Sequence, residues 1–451
     1  MASELRTRAA VALDDPQLQW ALVNASNRFA SHRSDDLANL DELRHAARAT
    51  RNHVIRNLPA TLDHFATAAE AGGAQVHWAA DADEANATVL DIARRHNVRL
   101  AAKSKSMLTE EIELNHALEG DGIEVVETDL GQWIIQLADE PPSHILGPAL
   151  HKSASSIAEL FNRHGGDNLS SDPEELCAFA RRSLREKFLD AGMGISGCNF
   201  AVAETGTVVI VTNEGNARMV TSLPPVHVVV MGMERIVEDW DQLDLMMTLL
   251  GRSATGQPLT VYTTQITGPR HEDEVDGPEE LHIVIVDNGR LDIIGTEFQE
   301  MLHCIRCGSC LNVCPVYRQI GGHAYESIYS GPMGAVLSPL LAATTSNREL
   351  ANASTLCGAC HDACPVDIPL EDLLLRLRRE NADEANAVER QTWKAWAKMW
   401  SRPSLYRTSI AAARSGRWVL PDGLVPVMRG RKPPEGRGSG NLRKQLRDGK
   451  I

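Results

Sequence analysis

Two cysteine runs constrain this chain more than any other feature. One reads Cys304-Ile305-Arg306-Cys307-Gly308-Ser309-Cys310-Leu311-Asn312-Val313-Cys314-Pro315, the other Cys357-Gly358-Ala359-Cys360-His361-Asp362-Ala363-Cys364-Pro365. Seven of the nine cysteines fall in them, so the chemistry of this region has to account for seven thiols together. The first run has the C-x2-C-x2-C-x3-C-P spacing of cubane iron–sulfur sites, in which the fourth cysteine crosses to the other cluster. Two-residue gaps let one tight turn present several thiolates and backbone N–H groups to a single cluster, and the proline restricts how the turn continues.

Zinc and disulfides are the competing readings. A zinc ion takes four thiolate or imidazole ligands and would leave three of the seven cysteines without a role. Disulfide frameworks suit small secreted chains, whereas this one has 451 residues.

The second run departs from the pattern at one position. Reading back from Cys364, its first cysteine is replaced by Ser354. With crossed ligation, Cys304, Cys307, Cys310 and Cys364 serve one centre, and Cys314, Cys357 and Cys360 the other. The expectation is two 4Fe-4S clusters, the second one thiolate short. That centre is then labile, or 3Fe-4S, or completed by water, a serine oxygen, His361 or a partner-supplied ligand.

The length suggests two or three domains. A formal net charge of −15 argues against nucleic acid as the default partner. The apolar run Val226 to Met231 is far shorter than the roughly 20 residues of a membrane span, and Met1 to Asp14 lacks the apolar core of a signal peptide. A cytoplasmic location is expected, where reducing conditions suit thiolate ligands.

Apolar periodicity predicts a helical lead-in over 1–75, with Thr61 as an N-cap after Pro59. An α/β domain over 76–295 follows. Its predicted helices cover Asp81–Asn97, Thr109–Leu118 and Ser171–Ala191, and its predicted strands Val98–Ala102, Ile123–Glu127, Thr207–Thr212, Val226–Met231, Leu259–Thr264 and His282–Val286. Gly192-Met193-Gly194-Ile195-Ser196-Gly197 spells G-x-G-x-x-G, but as a turn after a helix and before the strand-like Cys198–Ala203. A dinucleotide fingerprint needs the reverse context. The cysteine region, 296–380, has a helical spacer suited to an α-helical ferredoxin-like two-cluster domain. A C-terminal helical region, 381–451, puts Trp393, Trp396 and Trp400 on one helix face, for packing or for docking another subunit, and ends in a basic tail from Arg429.

Several segments resemble the lactate utilization protein B family: Lys103-Ser104-Lys105-Ser106-Met107, Glu127-Thr128-Asp129-Leu130-Gly131, Pro142-Ser143-His144-Ile145, Glu204-Thr205-Gly206-Thr207 and Asn213-Glu214-Gly215-Asn216, followed by the cysteine runs. The resemblance spans nearly the whole chain. It implies an N-terminal lactate-utilization domain similar in fold to sugar-phosphate isomerases and CoA-transferases, then a ferredoxin-type domain. It also implies an iron–sulfur subunit of a multi-component system oxidising L-lactate to pyruvate, with other subunits as partners and the cluster ligands given above.

Residue type alone nominates further groups. Lys103 and Lys105, after a predicted strand, suit a carboxylate substrate, as does Arg218; solvation or pairing with Glu110, Glu111 and Glu214 is the competing and favoured reading. His144 and His151 are possible proton acceptors, and Glu204 stands where a transferase nucleophile might. Cys177 and Cys198 read as inert buried thiols. Two other functions stay open: an electron-transfer subunit of a heterodisulfide-reductase-like or glycerol-phosphate-dehydrogenase-type oxidoreductase, or a CoA-transferase-like ligand-binding protein with structural clusters.

Overall fold

A computed structural model describes residues 4–32, 39–341, 345–383 and 387–416, so the basic tail lies outside the described residues. The chain divides into two units, Met1–Asn381 and Ala382–Ile451.

Ten strands build the α/β part of the first unit. They are β1 Gln75–Ala79, β2 Leu100–Lys103, β3 Glu124–Glu127, β4 Met193–Ser196, β5 Phe200–Val202, β6 Thr207–Thr212, β7 Val226–Gly232, β8 Ile236–Val237, β9 Tyr262–Ile266 and β10 Glu280–Val286. Six form one parallel sheet in the order β1-β10-β7-β4-β2-β3. The other four form a smaller sheet, β8-β5-β6-β9, with antiparallel β5–β6 and β6–β9 pairs. All of β7 is buried, His227 included, as its otherwise apolar sequence requires of a strand covered on both faces. One face packs under the helix Ala82–Arg95, through Val228, Val284 and Val89; the other packs under the helix Leu58–Ala71, through Val229, Ile283 and Phe65.

Polar side chains set several helix starts as the sequence indicates. Asp81 accepts from the Glu84 N–H to open Ala82–Arg95, and Asp172 accepts from the Glu174 and Glu175 N–H groups to open Pro173–Asp190. Thr61 is not a cap: it is buried inside Leu58–Ala71, donating its hydroxyl to Asn57 O at 3.2 Å, and Asn57 precedes the helix instead. The helix predicted over Thr109–Leu118 breaks at Glu113, which takes a left-handed φ of 53°, into Met107–Glu111 and Leu114–Gly120.

The G-x-G-x-x-G segment is a strand rather than a turn, since β4 runs through its middle. Its central glycine is there for packing. A Cβ on Gly194 would lie 2.0 Å from Val220 O, because the helix Asn216–Ser222 presses directly onto β4.

The lead-in helices share the core of the cysteine region. Leu5, Leu22, Ala47 and Ile55 belong to one buried cluster with Cys307, Cys310, Cys314, Cys360 and Cys364, together with Met246 and Leu249 of the helix Trp240–Thr255. Arg44, on the helix Leu40–Arg56, donates to Cys364 O at 2.9 Å and His361 O at 3.0 Å.

In the second unit, Trp396 and Trp400 of the helix Ala387–Trp400 stack with ring centroids 4.8 Å apart, and Trp400 meets Tyr406 of the helix Pro403–Gly416 edge-on at 5.2 Å. Trp393, Trp396 and Trp400 touch one another and Tyr406 within this unit yet all remain exposed.

Candidate metal centre and adjoining cleft

Four cysteines from the two distant runs converge on one small cavity. Cys304, Cys307, Cys310 and Cys364 line it, with Ile145, Met301, Met333, Val366 and Ile368 supplying apolar walls. The loop that brings three of them together needs two left-handed residues, Arg306 at φ 59° and Gly308 at φ 74°. Backbone N–H groups point at the sulfurs: Arg306 N to Cys304 Sγ and Ile368 N to Cys364 Sγ, both at 3.4 Å. Burial pushes the Cys364 thiol up to about 12 and holds Cys307 and Cys310 higher still. Bare, the Cys307, Cys310 and Cys364 thiols keep their protons, and a metal that binds them takes the protons' place. Four converging sulfurs, those of buried Cys307, Cys310 and Cys364 and half-buried Cys304, with N–H···S donors and an apolar wall, suit a cubane cluster.

The remaining three cysteines form a different environment. Cys314 and Cys360 are buried, whereas Cys357 is exposed. The Cys357 thiol is held below its ordinary value, first by the Ala359 N–H and then by Thr355. Two of the possible fourth ligands are committed elsewhere. His361 bridges Glu371 through Nδ1 at 2.9 Å and Asp367 through Nε2 at 3.0 Å, and Ser354 Oγ accepts from Leu356 N at 3.1 Å.

Beside the four-cysteine cavity lies a cleft of about 310 Å³ at the C-terminal ends of the large sheet's strands, where open α/β sheets bind ligands. Ser104 and Lys105 follow β2, Asp129 follows β3, Gly197 follows β4, Gly232 ends β7 and Glu234 follows it. Ile145 and Arg306 line both the cleft and the cysteine cavity, so they form the partition between them.

A buried charge network stiffens that partition. Arg290 donates to Glu234 Oε2 at 2.7 Å and to both Glu111 oxygens at 2.9 Å. Arg306 reaches Glu234 Oε1 at 3.4 Å and lies over the Tyr329 ring at 4.7 Å, and the Tyr329 hydroxyl donates to Glu111 Oε2 at 2.5 Å. Burial alone would raise Glu234, but Arg290, Arg235 and Arg306 together hold it down to about 2. At the other end of the cleft, burial and the neighbouring Asp129 push Glu214 up to about 7, while burial holds Lys105 below the usual lysine range.

The residues nominated from sequence separate on this map. Lys105 lines the cleft, donating its ammonium to Ile145 O. Lys103 does not: it is fully buried against Glu127 Oε1 at 2.7 Å and Glu110 Oε1 at 2.8 Å. Arg218 sits on the exposed face of Asn216–Ser222, and Glu204 is exposed on a turn; neither lines the cleft. His144 is buried in the joint between the α/β part and the cysteine region. Its Nδ1 accepts from the Leu146 and Gly147 N–H groups and its Nε2 meets Asn312 Oδ1 at 3.2 Å, so it is a packed neutral histidine. His151 bonds Glu140 at 2.6 Å and Ser143 at 2.9 Å. Cys177 is exposed rather than buried, and Cys198 lines the cleft. Glu234, Arg235, Arg290, Arg306 and Tyr329 went unnoticed in the sequence, although the charged pair Glu234-Arg235, one residue past the end of β7, was a usable signal.

Residues 62–286 match the LUD domain and residues 300–368 a 4Fe-4S dicluster domain. Lactate utilization protein B of Oceanobacillus iheyensis is 48% identical over 409 residues, covering 89% of this chain and 86% of its own. The chain belongs to the lactate utilization protein B family. The Bacillus subtilis member is 46% identical and covers 98% of this chain and 92% of its own. Within the same range of similarity stands an Escherichia coli protein named "Uncharacterized electron transport protein YkgF", 45% identical over 94% of this chain and 91% of its own. Membership brings iron–sulfur clusters to the cysteine region, since all seven of its cysteines fall inside the matched dicluster domain.

Proposed function

We propose that this chain is the iron–sulfur electron-transfer subunit of a multi-component system that oxidises L-lactate to pyruvate. The observation that carries the reading is the shared wall: Ile145 and Arg306 separate a polar cleft at the sheet's edge from a cavity lined by four cysteines. The names of its relatives, lactate utilization protein B and an electron transport protein, agree in direction. In this reading Cys304, Cys307, Cys310 and Cys364 hold one 4Fe-4S cluster and Cys314, Cys357 and Cys360 the second, whose fourth position is open or filled from a partner. Each cluster, when bound, supplies one-electron transfer. The exposure of Cys357 supports a second centre with one side open to another subunit or a carrier.

The chain's own groups set the surroundings. Arg306 and Arg235 place positive charge beside the first site, Arg235 reaching Cys304 O at 3.5 Å. Lys105, Asp129 and Glu214 line the cleft, where a small carboxylate and a mobile proton can both be accommodated. A cytoplasmic location belongs to the same proposal; no helix of the described residues is long and apolar enough to cross a membrane.

The test is anaerobic copurification from lactate-grown cells, comparing wild type with Cys307→Ala. Wild type should carry partner subunits and show cluster reduction on adding L-lactate. The variant should lose that response while keeping its α/β fold by circular dichroism. A variant that still passes lactate electrons would reject the assignment.

A further inference from the structure

We propose that His96, Glu280 and His282 form a divalent-cation site of the zinc class, at the edge of the large sheet where its strands begin, opposite the cleft. Glu280 and His282 are two apart on β10, so both project from the same face. His96 ends the helix Ala82–Arg95, which packs on that face, and brings its ring over the strand.

The spacing of the ligand atoms suits a metal. His282 Nε2 lies 3.2 Å from Glu280 Oε2, and His96 Nε2 lies 3.4 Å from the same oxygen. Ligands bound at zinc distances at the corners of a tetrahedron stand roughly 3.3 Å apart. One nitrogen, one carboxylate oxygen and a second nitrogen make a His2Glu set, the kind that leaves a fourth position to water. His96 and Glu280 are partly exposed, so an ion can enter from solvent and that position can stay wet.

The burial of His282 adds to this spacing. Its ring is fully buried, and Nε2 faces Glu280 Oε2 at 3.2 Å without a well-directed hydrogen bond, a poor arrangement for a buried polar nitrogen. A metal between the two gives that nitrogen a directed partner. The surroundings also fit an outer shell: His282 Nδ1 lies 3.1 Å from His77 Nε2, and Gln75 donates to Glu280 Oε2 at 3.1 Å. Ligating histidines usually donate their other N–H in this way, which fixes the ring and its tautomer. Bound metal would fasten β10 to the C-terminus of the helix Ala82–Arg95, with His77 tying in β1.

The test uses full-length protein with its clusters assembled anaerobically, so that the cluster thiols are occupied by iron. Zinc alone is the probe, titrated in a metal-buffered series and counted by mass spectrometry beside iron. Wild type should hold one zinc per chain. His96→Ala and Glu280→Gln, both at partly exposed positions, should each weaken zinc at least tenfold at unchanged iron content, and His77→Ala by a smaller factor. Zinc that fails to bind wild type, or that binds both ligand variants as tightly as wild type, would overturn the site. Iron content reads the cluster assignment separately from the zinc result.

Discussion

Arg306 stands between two cysteines of the first run, and its Nη2 lies 3.4 Å from Glu234 Oε1. That contact joins the cysteine loop to the end of β7, the central strand of the large sheet. Glu234 also receives Arg290 at 2.7 Å, so one fully buried carboxylate ties the α/β layer to the loop that shapes the four-cysteine cavity. The cleft and the cavity are therefore parts of one rigid arrangement.

Removing that carboxylate should be costly. Glu234→Gln leaves Arg306 and Arg235 buried with no anion from this position, a change worth about 3–5 kcal/mol where a buried pair is broken. The expected result is a clear drop in the thermal midpoint, together with weaker iron retention. A midpoint unchanged from wild type would show that the network does not support the loop.

Lys103 offers a second buried test. Lys103→Met strands Glu127, which is fully buried and answers Lys103 at 2.7 Å, and should destabilise by about 3–5 kcal/mol in denaturant unfolding. The double variant Lys103→Met/Glu127→Leu should recover much of the loss, because an apolar pair of similar volume replaces two desolvated charges. If the double variant is as unstable as the single, the ion pair is not what the site requires.

Mild acid should destabilise the fold before carboxylates titrate. Burial pushes His144 down to about 4 and His227 to about 3, so both stay neutral in the folded chain. Once unfolded they take up protons near 6.5, and the unfolded state binds more protons throughout that window. Stability therefore falls as pH drops from about 6.5, by up to about 1.4 kcal/mol per pH unit for each histidine. Glu234, depressed to about 2, adds a further loss below its ordinary 4.5. Urea midpoints measured from pH 7 downward should decline, and His227→Gln should flatten the slope; a flat wild-type profile down to pH 5 would contradict this.

The glycines of the G-x-G-x-x-G segment should behave unequally. Gly194→Ala drives a methyl to 2.0 Å from Val220 O and should cost at least about 1–3 kcal/mol, whereas Gly192→Ala meets nothing nearer than 3.7 Å and should be nearly neutral. Equal sensitivity at both positions, read by denaturant midpoint, would point to a role other than packing.

Much of this was legible in the sequence. The cysteine spacing announced the clusters, the run Val226–Met231, apolar except for His227, announced a buried strand, and the periodic stretches Asp81–Asn97 and Ser171–Ala191 announced helices found at Ala82–Arg95 and Pro173–Asp190. What escaped was set by contacts between distant segments. Lys103 looked like a ligand for substrate because its partner Glu127 is brought to it only by the pairing of β2 with β3. Thr61 looked like a cap because the polar Asn57 lies beyond Pro59, which is tolerated in the first turn. Arg306 drew no reading from its place between ligands, because Glu234 and the cleft come against it only in the fold.

Anaerobic reconstitution with chemical iron analysis tests the central claim most directly. Two four-iron clusters give about eight irons per chain, and Cys307→Ala should fall to about four. The exposed, three-cysteine centre should be the first to lose iron on exposure to air or chelator. A wild-type count that stays near four under full reconstitution would contradict the two-cluster account.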